Sequence, residues 1–65
     1  MNETDRKQLD NALKLLADAR DIIGTVKANQ FRITPYHYLQ YALDKIEDAE
    51  LDIADAQNWN PGSKN

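Results

Sequence analysis

The chain contains no cysteine and only one histidine and one serine among its 65 residues. Without cysteine it can form no disulfide, no thiolate metal site and no thiol nucleophile. The only histidine, His37, is far along the chain from the only serine, Ser63, so a serine–histidine catalytic pair is not expected. No glutamate stands three residues before His37, which excludes the Glu-x-x-His step of di-metal helical bundles. We therefore predict a non-enzymatic protein without cofactor or metal ion.

Glycine-rich loops and long apolar segments are also missing. Gly24 and Gly62 are isolated, which argues against a glycine-rich phosphate-binding loop. No apolar run approaches the roughly 20 residues that a membrane-spanning helix needs, and the charged first ten residues lack the apolar stretch of a signal peptide. These absences predict a cytoplasmic protein with no membrane contact.

The net charge of −3 is unevenly distributed along the chain. Residues 1–33 carry five acidic and six basic side chains, whereas residues 34–65 carry six acidic and two basic ones. Because acidic surfaces repel phosphate backbones, direct binding of nucleic acid is not expected. The charge distribution instead favours a protein partner, and a basic one in particular.

Apolar residues recur at alternating intervals of three and four, which is the signature of amphipathic helices. The first stripe consists of Leu9, Ala12, Leu16, Ala19, Ile23 and Val26, and the second consists of Leu39, Ala42, Ile46, Ala49, Ile53 and Ala56. They predict helices over residues 4–29 and 35–57. Thr34-Pro35 is a helix start, with the threonine as N-cap and the proline as first helical residue. The short linker makes the two helices antiparallel.

The predicted fold is an all-α helical hairpin of residues 1–59, followed by a flexible tail at residues 60–65. Its alanine-rich stripes allow close helix approach but bury little apolar surface, and a core this small is marginal. Further apolar residues lie beside the stripes, and a wide apolar arc needs a second neighbour. We expect a homodimer that packs as a four-helix bundle with coiled-coil-like contacts. The residues assigned to its interface are Leu13, Leu15, Ile22 and Leu43.

The predicted hairpin end collects aromatic and basic side chains. This aromatic tip comprises Phe31, Arg32, Tyr36, His37, Tyr38 and Tyr41. Aromatic residues and arginine are enriched in the hot spots of protein interfaces. The same groups can form a stacking platform for a nucleotide-sized anion. A third interpretation is structural, with the rings closing one end of the bundle and the dimer seam.

Four aspartates of the second helix fall at i, i+4, i+8 and i+11, which places them on one face. This acidic ridge comprises Asp44, Asp48, Asp52 and Asp55. It is either a docking surface for a basic partner or a solvated face neutralised by Arg20, Lys14 or Lys27. Loose binding of a divalent cation is a further alternative, although regular helical spacing rarely surrounds a cation.

Together these features predict a small accessory protein, a homo-oligomeric hairpin that binds another macromolecule through the aromatic tip or the acidic ridge. Inhibition of that partner is one outcome of such binding. Two alternatives stay open. One is an oligomer that sequesters a small anionic metabolite or nucleotide between its subunits, and the other is a purely structural assembly module.

Overall fold

The computed structural model describes residues 1–59, which form two helices, α1 (Glu3–Asn29) and α2 (Thr34–Gln57). At one end, Gln57 Nε2 donates to the Arg6 carbonyl at 3.2 Å and to Asp10 Oδ1 at 2.7 Å. At the other end, Lys27 Nζ donates to Gln40 Oε1. These contacts join the end of each helix to the early part of the other, so the hairpin is antiparallel. The predicted all-α hairpin is confirmed, and its helix bounds agree to within one residue.

The first helix starts at a capped terminus and continues through its glycine. Asn2 Oδ1 accepts a hydrogen bond from the Asp5 N–H at 2.8 Å, and Glu3 and Asp5 place negative charge at the positive end of the helix dipole. A Cβ atom built on Gly24 would meet nothing within 4 Å. No close contact therefore requires a glycine there, and the helix tolerates it at a cost of about 1 kcal/mol.

Removing this cap should be measurable. Asn2→Ala is expected to lower the free energy of unfolding by about 1 kcal/mol, because the Asp5 N–H loses its acceptor. The exposed Asn11, in the interior of α1, offers a matched control. Asn11→Ala should leave stability unchanged or raise it by up to about 0.5 kcal/mol, since alanine has the better helix propensity. Urea titration followed by circular dichroism would measure both, and equal losses would contradict the capping role.

The two helices are joined by a tight turn. The Ile33 N–H donates to the Gln30 carbonyl at 3.1 Å, and Arg32, the third residue of this turn, has φ 71°. Positive φ at the third position is typical of type II turns, which favour glycine or asparagine there. An arginine therefore occupies a left-handed backbone conformation at the point where the chain reverses.

The predicted N-cap of α2 is wrong. Ile33 occupies the cap position without a side-chain hydrogen bond, Thr34 is the first helical residue and Pro35 the second. Because the first four N–H groups of a helix have no partner within it, the missing N–H of Pro35 costs no hydrogen bond. The proline therefore still sets the start of α2, one residue earlier than expected.

The helices meet along a seam of half-buried side chains. The seam is made by Leu9, Leu13, Leu16, Arg20, Ile23 and Lys27 from α1 and by Tyr36, Leu39, Leu43, Ile46, Glu50, Ile53 and Gln57 from α2. No residue in the range 1–59 is fully buried. The Cα atoms span 48 × 24 × 10 Å, so the hairpin is one helix thick. A single layer of this kind has contact surface but no enclosed core.

Two members of the predicted stripes are exposed, while the other ten are half-buried. Val26 is 44% exposed and Ala56 is also exposed, whereas the neighbouring Lys27 and Gln57 are half-buried. The cause is the rotation of the helix, because the contact line follows an equally regular series through Leu13, Arg20 and Lys27, and a stripe drawn through Ala12, Ala19 and Val26 lies to one side of that line. At the last turn of each helix the predicted stripe therefore lies outside the line of contact.

Candidate functional site

The aromatic tip is built around a connected set of rings. Phe31 and Tyr36 pack edge to face with centroids 5.7 Å apart, and Tyr36 and His37 do so at 5.8 Å. Two cations cover these rings, with Arg32 Cζ 5.3 Å from the Phe31 centroid and Lys27 Nζ 5.0 Å from that of Tyr36. Edge-to-face and cation–ring contacts are both favourable, so the rings have defined relative orientations. This ring cluster contains four of the six residues predicted for the tip.

The other two predicted tip residues form a separate pair. Tyr38 and Tyr41 pack edge to face at 6.2 Å, and they are 67% and 57% exposed. They lie on the outer side of α2, whereas Tyr36 is half-buried against α1. The predicted tip is thus two adjoining aromatic surfaces rather than one.

Lys27 is a tip residue that the sequence did not identify as such. Its ammonium donates to Gln40 Oε1 and lies over Tyr36, and Gln40 Nε2 in turn donates to Asp44 Oδ1 at 2.9 Å. These contacts connect the ring cluster to the first aspartate of the acidic ridge. The sequence feature that could have identified Lys27 is its spacing, because it follows Arg20 and Ile23 at intervals of seven and four along the seam.

The acidic ridge faces solvent along its whole length. Its four aspartates are all exposed, and within residues 1–59 no basic side chain lies within 4 Å of any of them. Arg20 does not neutralise the ridge, because it pairs with Glu50 across the seam. Its Nε lies 2.7 Å from Oε1, and its Nη2 donates to Oε2 at 3.2 Å. The ridge therefore keeps its negative charge without a compensating base from α1.

The Arg20–Glu50 pair lies beside a shallow groove of about 350 Å³, which Glu47 and Leu51 also line. The Glu50 side chain is only 19% exposed, and that of Arg20 is 38% exposed. Because these two charges neutralise each other across the seam, they hold the helices together more readily than they would hold a ligand.

The residues assigned to the oligomer interface lie in two environments. Leu15 and Ile22 are 60% and 65% exposed, whereas Leu13 and Leu43 are half-buried in the hairpin seam. Leu15 and Ile22 are thus available to a second chain without rearrangement, while Leu13 and Leu43 already contribute to the hairpin. The homodimer itself stays a prediction.

Within residues 1–59, no group of three or more histidine, aspartate or glutamate side chains is placed to hold a metal ion. In the same part of the chain, neither helix is long and apolar enough to cross a membrane. Comparison of the chain with protein-family models, curated proteins and solved structures finds no match. The surfaces described above are therefore the basis on which a function can be argued.

Proposed function

We propose that this protein is a homo-oligomeric interaction protein that binds another protein through its aromatic tip. The observation that carries this proposal is Arg32, an exposed residue at φ 71°. A side chain in this left-handed region costs about 1–2 kcal/mol, and glycine would avoid that cost. This cost is explained when the guanidinium binds a partner, which a glycine could not do. Backbone strain of this kind is concentrated at functional sites.

The surroundings of Arg32 suit protein recognition. Phe31 is 62% exposed and its ring lies beneath the guanidinium, while the exposed Tyr38 and Tyr41 extend the aromatic surface along α2. Arginine and tyrosine are enriched among the residues that dominate interface affinity. Rings already fixed by edge-to-face contacts lose little conformational freedom on binding, so more of the contact energy appears as affinity.

The acidic ridge has a supporting role in this proposal. Its unpaired carboxylates attract a basic partner from solution, which raises the association rate more than it lengthens the life of the complex. The tip makes the contacts that hold the partner, and the ridge speeds its association.

A nucleotide-sized anion bound at Arg32 and the ring cluster is the second candidate, favoured by the two cations over aromatic faces. An ultraviolet-absorbing ligand that copurifies with the protein would support that candidate.

The two surfaces can be separated by kinetics. The immobilised wild-type chain captures the partner from extract, and its binding is then compared with that of a ridge variant, Asp48→Asn with Asp52→Asn and Asp55→Asn. We expect the variant to associate about tenfold more slowly at low salt, with an unchanged dissociation rate and little remaining salt dependence. Surface plasmon resonance over a series of salt concentrations would measure both rates.

The control is the tip variant, Arg32→Ala with Tyr38→Ala. It should dissociate faster at every salt concentration, because it removes contacts rather than long-range attraction. If the ridge variant loses binding at all salt concentrations while the tip variant binds normally, the tip proposal is wrong. If neither variant changes capture, the partner binds through another surface and both assignments are wrong. If the wild-type chain captures no partner, the purely structural module becomes the better interpretation.

A further inference from the structure

A second apolar line runs along α1 beside the hairpin seam. This flank stripe consists of Ala12, Leu15, Ala19, Ile22 and Val26, again at intervals of three and four. Its large members are 60%, 65% and 44% exposed, in the order Leu15, Ile22 and Val26. At 100° per residue these positions lie roughly a quarter turn from the seam. Ala12 and Ala19 are half-buried at the edge of the seam, whereas Leu15, Ile22 and Val26 are exposed. The stripe has the pattern of a coiled-coil contact line, and its three large members are left exposed by the other described residues, 1–59.

The occupant that best fits this stripe is a second copy of the chain. No residue of the range 1–59 is fully buried, and the hairpin is one helix thick, so it lacks the enclosed core that a stable domain needs. α1 is about 40 Å long at 1.5 Å per residue, and the hairpin is 24 Å wide. One face therefore offers roughly 950 Å², compared with about 800 Å² per partner in a stable interface. A second hairpin laid on this face would supply the missing core.

We infer that two copies pack through the flank stripe with their α1 helices antiparallel and a two-fold axis at Ala19. This register rests on the homo-oligomer of the proposed function and defines its geometry. Positions whose numbers sum to 37 or 38 face each other, so Leu15 meets Ile22 of the second copy and Ala12 meets Val26. Ala19 meets itself on the axis. The outer layers pair the small Ala12 with the larger Val26, the next layers pair Leu15 with Ile22, and the central alanine pair permits close approach.

The charge distribution favours the antiparallel over the parallel arrangement. The tip end carries Lys27 and Arg32, whereas the open end of α1 carries both signs, with Glu3 and Asp5 beside Arg6 and Lys7. An antiparallel dimer keeps the two basic tips apart and opposes the dipoles of the two α1 helices. A parallel dimer would bring the two basic tips together and align the dipoles.

One residue opposes this register. Asp18 flanks the stripe next to the axis, so it faces Asp18 of the second copy, and two like charges there weaken the dimer. The other flanking positions, Asn11 and Thr25, face each other without charge. Asp18→Asn should therefore tighten the dimer about two- to threefold. No such gain is expected if residue 18 is remote from the second copy.

A charge exchange between chains tests the register. Leu15→Lys and Ile22→Glu are made in separate chains, and each is expected to raise the dissociation constant of its own dimer about 100-fold or more, because a charge faces an apolar side chain on both sides of the axis. When the two chains are mixed, the introduced lysine faces the introduced glutamate, and Ile22 of one chain still faces Leu15 of the other. Size exclusion with light scattering should show monomers of 7.4 kDa separately and a heterodimer on mixing.

Leu51→Lys is the control, since Leu51 is 64% exposed on α2 away from the stripe, and it should leave the dimer mass unchanged. A wild-type monomer, or single variants that remain dimeric, would overturn the stripe as the interface. Monomeric single variants that do not recombine would overturn the antiparallel register. If a single variant loses helicity when it is studied by itself, mixing it with the other variant must restore the helical circular dichroism signal as well as the dimer mass. The measurement needs no partner protein, and Arg32→Ala should keep the dimer mass, so failure of the tip proposal would be seen separately.

Discussion

Replacing Ala49 by leucine is expected to lower the free energy of unfolding by about 1–3 kcal/mol. Ala49 is half-buried, and it lies three and four residues from Ile46 and Ile53 of the seam. A leucine at this position cannot be accommodated without moving the helices apart or forcing its neighbours out of their preferred rotamers. Because the hairpin has only one layer, it has no other contact to compensate for a wider seam.

The matched variant is Leu51→Ala, which removes a large apolar side chain two residues away. Leu51 is 64% exposed, so its loss should change stability by less than about 0.5 kcal/mol, with alanine's higher helix propensity offsetting part of the loss. Urea denaturation of both variants at one protein concentration would test this, since the stability of an oligomer depends on concentration. Comparable losses, or a larger loss for Leu51→Ala, would show that the wrong face of α2 has been placed inside.

Replacing Arg32 by glycine should have opposite effects on stability and on binding. The left-handed conformation at φ 71° costs about 1–2 kcal/mol with a side chain present, and the greater freedom of glycine in the unfolded chain takes back roughly 0.5–1 kcal/mol. A net gain in the free energy of unfolding of about 0.5 kcal/mol is expected. Loss of the guanidinium should weaken binding of the partner about 30-fold, as for an arginine hot spot worth about 2 kcal/mol.

Arg32→Ala separates the effect of the backbone conformation on stability from the effect of the guanidinium on binding. It keeps the left-handed residue and removes the same guanidinium, so we expect the same loss of affinity without the gain in stability. Thermal denaturation and the affinity for the captured partner, measured on both variants, would decide between the possibilities. If the two variants are equally stable, the left-handed conformation at residue 32 does not destabilise the fold. If both keep the wild-type affinity, Arg32 is not part of the binding site.

The helices and their ends could be predicted from the sequence because local signals coincide with them. Pro35 cannot stand far inside a helix, and Asn2 has a side chain that caps one. The apolar repeats then leave an antiparallel pair as the only economical way to bring both stripes together across a linker of a few residues. Whether α1 continues through Gly24 could not be predicted in this way, because a lone glycine is compatible with either a helix end or a continuous helix.

The details of the candidate site were less predictable because they depend on long polar side chains. Lys27 and Gln57 take seam positions that apolar spacing assigned to Val26 and Ala56, and a periodicity argument that counts only apolar residues misses them. The partition of the aromatic tip into a ring cluster and the Tyr38–Tyr41 pair follows from the phase of α2. That phase is set by the seam, which places Tyr36 against α1 and leaves Tyr38 and Tyr41 exposed.

The strained turn was likewise invisible in composition. Nothing about an arginine indicates positive φ, and the conformation arises because the chain must reverse between two helices whose seam already fixes their rotation. The cross-seam partner of Arg20 was missed for a related reason. Its pairing with Glu50 depends on how the two helices are rotated about their axes, which charge spacing within one helix cannot give.

The single-layer thickness of the hairpin also bears on how long each molecule survives. Between Met1 and Trp59 a lone copy has no fully buried residue to resist local opening, so its backbone is accessible to proteases for a larger fraction of the time. When opening and closing are fast, degradation follows the population of the open form. Pairing with a second copy would lower that population, and newly made chains that fail to find each other would be removed first. The amount of protein present would then rise more steeply than its rate of synthesis, which gives the assembly a concentration threshold.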